Sequence, residues 1–209
     1  MLVSPMGTVI QFHTPGFRGR LREAHRHGKL VRLWRGALEH GSFCGYVAGI
    51  GREFFLLSVI GDSISFDGMY AMRHRDITEL ETPERHHRFI EKALAVRKIA
   101  PPRPESFPLD HIREVLTAAA AYSPAIGVHV DSEDDAEVCY IGHLLNLEDD
   151  GFNLQEISPD AEWLREPSWF AWDEVSTISF EEPYCRALLE VAGPIPDPAS
   201  LGPDFGRAH

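Results

Sequence analysis

A chain of 209 residues is long enough for one or two domains, and 44% hydrophobic residues suffice for a packed core. With 20 Lys and Arg against 32 Asp and Glu, the formal net charge is −12. That balance disfavours a general nucleic-acid binder and a protein that sits on anionic membranes.

Residues 1–17 are marked by Gly and Pro, show no periodicity and read as an irregular arm. Residues 18–28 fit a short helix stopped by Gly28. Residues 30–38 alternate in the manner of a strand, and residues 43–50 form a second. Gly51-Arg52 is a tight turn with Gly at the demanding position. Residues 53–60 are an apolar β run, and 69–73 and 76–80 are two more short strands. Five short strands separated by turn signals predict a small barrel or sandwich. Residues 84–98 have the pattern of a helix with one apolar face.

Residues 100–108 carry four prolines and cannot continue a helix, so they read as a stiff linker and domain boundary. Asp110 is placed to cap a helix through Tyr122. Strands are predicted at 126–130, 138–145, 152–157, 168–172 and 174–180, and a short helix at 183–191. Residues 192–209 read as a mobile Pro/Gly tail.

The two halves look alike. Gly45-Tyr46-Val47 is set beside Cys139-Tyr140-Ile141, and Phe55-Leu56-Leu57 beside Phe152-Asn153-Leu154. Ile60-Gly61-Asp62 is set beside Ile157-Ser158-Pro159-Asp160, and residues 76–80 beside 174–178. The shared order of helix, five strands and helix predicts an internal duplication, with repeats at 18–99 and 109–191.

Tyr140-Ile141-Gly142-His143-Leu144, then Asp149, then Phe152-Asn153-Leu154 resembles the first motif of the Sm-like family of SH3-type small barrels. The first half keeps Gly45, Val47 and Phe55 but has Gly51-Arg52 in place of the acidic turn. The resemblance implies a mainly β chain with flanking helices (α+β): two tandem five-stranded Sm-like barrels, each preceded by a short helix. Both halves depart from the second Sm motif, with Arg75-Asp76-Ile77 and Asp173-Glu174-Val175 standing where an apolar-Arg-Gly step belongs. That step helps build the family's RNA pocket, so the resemblance implies the barrel more than RNA binding.

No nucleophile elbow, phosphate loop or metal-ligand spacing occurs, so no catalytic residue, metal or cofactor is expected. Three widely spaced cysteines, Cys44, Cys139 and Cys185, argue for a reduced compartment, and Cys44 and Cys139 read as core residues. Residues 1–11 lack Lys and Arg, and no run reaches the ~20 apolar residues of a membrane span, so the expected location is the cytoplasm, away from membranes.

Charge is uneven. Residues 1–35 hold seven Lys or Arg and one acid, whereas residues 109–191 hold three Lys or Arg and nineteen acids. Such asymmetry is an association signal. The favoured expectation is a non-catalytic protein-binding or scaffold module, meeting a basic protein partner or a second copy of itself. Its candidate contacts are Trp163, Trp169 and Trp172 with the acidic turn Asp131, Glu133, Asp134 and Asp135. The alternative is RNA binding through the basic segment 18–35, using Arg18, Arg20, Arg22, Arg26 and Lys29. A third is an enzyme with a site between the repeats.

Overall fold

The protein is described by a computed structural model that covers residues 16–196, apart from 37, 39–40, 83–85, 101, 105 and 132–137. The first half runs α1 (Phe17–His27), β1 (Leu30–Trp34), β2 (Ser42–Ile50), β3 (Phe54–Ile60), β4 (Phe66–Arg73), a 3-10 turn (His74–Asp76), β5 (Glu79–Glu81) and α2 (His87–Arg97). The second runs α3 (Ile112–Tyr122), β6 (Ile126–Val130), β7 (Val138–Leu147), β8 (Gly151–Glu156), β9 (Ser168–Ala171), β10 (Val175–Phe180) and α4 (Pro183–Ala192).

Local chemistry explains most boundaries. Gly28 takes the left-handed conformation, φ 58°, and ends α1. Pro183 opens α4, where its missing N–H costs nothing. Asp110 does not cap α3: His111 is the N-cap residue and makes no side-chain cap bond. The Asp110 carboxylate instead accepts the Arg52 backbone N–H at 2.7 Å, tying the β2–β3 turn to the start of the second half. The strand expected at 76–80 is shorter and later. Arg73 pairs with Asp76 at 2.6 Å and closes a 3-10 turn there, which postpones β5 to Glu79.

All ten described strands belong to one open antiparallel sheet, ordered β5-β1-β2-β3-β4-β10-β6-β7-β8-β9. The α+β class stands, and the described pairings make this single sheet rather than two separately closed ones. Each half contributes its strands in the same internal order, and β4 joins β10, with Ala71 opposite Ile178 and Met72 opposite Thr177. An odd number of antiparallel strands reverses direction from one half to the next, so the two halves turn opposite faces to their own helices. Met72 packs with Leu21 and Ala24 of α1 on one face. Ala71 and Ile178 pack with Val115, Leu116 and Ala119 of α3 on the other.

The halves match in detail. β2 is irregular between Val47 and Gly49, and β7 between Leu144 and Asn146. Gly45 and Gly142 each lie where a Cβ would meet a backbone carbonyl oxygen, that of Ser58 at 2.3 Å and that of Gln155 at 2.2 Å. The register therefore sets Gly45 beside Gly142, three residues beyond the expected Cys139. The turns after β3 and β8 also agree. Gly61 N–H donates to Ser65 C=O and Ser158 N–H to Glu162 C=O. Ile64 and Ala161, at matching places, have φ of 54° and 58°.

The Pro-rich segment packs onto the sheet. Phe107 stacks on Phe180 with centroids 5.2 Å apart, and the buried Leu109 accepts the Phe54 N–H at 3.0 Å. The largest core cluster unites Phe54, Leu56 and Met69 of the first half with Phe152, Leu154 and Phe180 of the second. No helix among the described residues is long and apolar enough to cross a membrane.

Candidate functional site

The acidic second half ends the sheet at β9, and the aromatic residues singled out from the sequence divide there. Phe170 points into the core and Trp169 points away from it, as strand alternation requires. Trp169 remains 42% exposed, with its indole lying over Gly151 of β8, where a Cβ would meet it at 2.7 Å. Trp163 and Trp172 are half-buried. Trp163 bridges to Ile157 and packs in the cluster under Leu188 and Leu189 of α4. Trp172 packs on Phe152 at 5.1 Å and lies under the Arg113 guanidinium. Of the three candidate tryptophans, Trp169 is exposed, whereas Trp163 and Trp172 are half-buried.

Around this strand, residues 160–174 hold Asp160, Glu162, Glu166, Asp173 and Glu174 against the single cation Arg165. Leu164, also exposed, extends the edge beside β8, since its N–H donates to Glu156 C=O at 2.9 Å. Asp131 belongs to a different constellation. It pairs with Arg73 at 2.8 Å and so joins the β6 end to the first half. Glu133, Asp134 and Asp135 lie outside the described residues.

The opposite edge of the sheet, β5, is three residues long with Glu79 exposed, and the Arg20 guanidinium donates to the Leu80 carbonyl. Arg18 likewise donates to Gly51 C=O at 2.8 Å. Two of the five basic residues expected to contact RNA therefore serve backbone carbonyls of their own fold. Arg22, Arg26 and Lys29 are exposed on and just after α1.

The junction of the halves holds a second polar group of residues, which the sequence did not signal because its members lie up to 142 positions apart. Arg35 is fully buried, donates to Thr177 Oγ1 at 2.5 Å and lies over the Phe43 ring. Tyr70 donates to Glu182 at 2.7 Å, and His129 bonds Ser179 at 3.1 Å. Burial first, then the Glu182 charge, pushes the Tyr70 phenol well above its usual range. The same two causes keep Cys185 a thiol. Cys139, expected in the core, is exposed. It follows Val138, which is itself 39% exposed at the start of β7.

A cleft of about 370 Å³ crosses the junction, lined by Arg52, His74, Arg75, Trp172 and Asp173 among others. His74 bonds Gly51 C=O at 3.2 Å, and its pKa is lowered first by burial and then by the nearby Arg18 charge. Among the described residues no three His, Cys, Asp or Glu side chains converge to hold a metal ion.

No family model, no curated protein and no solved structure matches this chain.

Proposed function

We propose that the chain is a non-catalytic protein-binding module whose contact surface is the acidic outer edge of its second half. In this reading the two halves are copies of one Sm-like unit, and the second has become the binding end. The observation that carries it is Trp169, a large aromatic left exposed on the terminal strand of the sheet, in a stretch of chain, residues 160–174, that holds five carboxylates and one cation. Aromatic residues of this kind anchor interfaces because they bury much area at low entropic cost. The carboxylates select a basic protein partner and speed its approach at low salt. RNA binding through residues 18–35 is less favoured, because Arg18 and Arg20 are already engaged by backbone carbonyls.

The test compares wild type with Trp169→Ala as bait in extracts of the native cell, at low and high salt. A basic protein retained by wild type, lost from the variant and released by salt is the expected result. Capture that is indifferent to both the substitution and salt would end this reading. A parallel titration with short U-rich and A-rich RNA near ~0.1 M salt is expected to show no binding at micromolar protein.

A further inference from the structure

Every open sheet has two edge strands, and here they differ. β5 has three residues, two of them Glu79 and Glu81, and the carbonyl of Leu80 is taken by Arg20. Short, charged and capped strands of this kind resist pairing with another chain. β9 is Ser168-Trp169-Phe170-Ala171, with no charge of its own. Trp172 N–H donates to Asp150 C=O just beyond the strand. Antiparallel ladders alternate, so Phe170 and Ser168 bond β8 while Trp169 and Ala171 turn their N–H and C=O groups outward. Among the described residues, only the Ala171 N–H has a long contact, 3.4 Å, with the Glu174 carboxylate.

We propose that β9 receives an extended basic segment of a partner protein as an eleventh strand, by β-strand addition. This rests on the protein-binding reading above and specifies its mode. Main-chain bonds to Trp169 and Ala171 hold the incoming strand. One face of it lies against the Trp169 indole, while its Lys or Arg side chains meet Asp160, Glu162, Glu166, Asp173 and Glu174. The same charges exclude the chain's own other edge: a second copy would bring Glu79 and Glu81 of β5 into this acidic surround. The internal joint obeys the same rule, since the strand that pairs with β4 there is β10, six residues long and uncharged.

The probe is a synthetic peptide of about ten residues alternating Arg and Val, long enough for an ordinary strand. Its counterpart carries N-methyl groups on alternate residues, which delete the N–H groups on one edge and leave charge and side chains intact. Titration calorimetry on the full chain is expected to show binding of the first peptide and at least about tenfold weaker binding of the second. Trp169→Ala is expected to weaken the first peptide several-fold while the variant still unfolds in a single cooperative transition. Equal binding of both peptides overturns strand addition and leaves the acidic protein-binding surface standing. Binding of neither overturns both. A wild-type chain that sediments as an assembly dispersed by Trp169→Pro shows that β9 takes a second copy, and overturns the choice of partner.

Discussion

The two halves of this protein carry the same backbone devices on opposite charge. β2 and β7 have their irregularity at the same place, Gly45 and Gly142 sit against the same kind of carbonyl, and Ile64 and Ala161 take the same left-handed turn. Yet residues 109–191 hold nineteen acids against three Lys or Arg, and residues 1–35 hold seven Lys or Arg against one acid. The difference teaches which features a small bent sheet requires. Glycine at a close approach, a turn residue able to reach positive φ, and apolar alternation are constrained by sterics. Charges on the outer surface are not, and are free to specify partners.

The comparison breaks most directly at its paired glycines. Gly45→Ala and Gly142→Ala each force a Cβ against a carbonyl oxygen and are expected to cost about 3 kcal/mol, by equal amounts, in urea unfolding. Because the core is shared, both variants should still unfold in one transition seen alike by fluorescence and circular dichroism. Two separate transitions, or a loss confined to one variant, would break the equivalence.

The next largest effect lies at the joint. Arg73 links Asp76 of the first half to Asp131 of the second, with its side chain only 8% exposed. Arg73→Ala leaves the mostly buried Asp76 without its close partner and is expected to cost about 3 kcal/mol at neutral pH. Tyr70→Phe removes the donor to Glu182 and is expected to cost about 1–2 kcal/mol by the same unfolding measurement.

Two smaller effects test the surroundings of single titratable groups. His74 has a folded pKa below its unfolded value of 6.5, so the unfolded chain binds its proton more readily. Its contribution is present above that unfolded value and is lost as pH falls through it toward the folded pKa. The difference in melting temperature between wild type and His74→Phe should therefore change across this window and stay flat above it. Asp67 goes the other way: burial, then the Glu182 charge, raises its pKa. The folded state holds that proton more firmly, so stability falls as pH rises through the carboxylate range. Asp67→Asn is expected to melt slightly higher than wild type near pH 7 and no higher near pH 3. A melting temperature unchanged at pH 7 would show that solvent already screens this carboxylate.

Much of the chain was legible before folding. Gly28, Pro183 and the apolar run of β3 mark their elements because backbone sterics and side-chain burial act within a few residues. Trp169 was legible as a candidate contact, since alternation separates it from Phe170. The differences between sequence and fold have one source. Asp110 is a reasonable helix cap until Arg52, 58 positions earlier, takes its carboxylate. Trp163 and Trp172 read as surface anchors, and the fold packs them partly against α4 and Arg113. Arg18 and Arg20 look free for phosphate until Gly51 and Leu80 present their carbonyls.

By itself the sequence determined much of the strand and helix content and the concentration of acid in the second half. Each of these follows from interactions between near neighbours or from simple counting. Only the tertiary structure decided that the ten strands form one sheet and that β4 meets β10. It also decided which edge is capped by Arg20 and which exposes Trp169. Those outcomes depend on hydrogen bonds and burial between residues up to 142 positions apart, where local propensity carries no information.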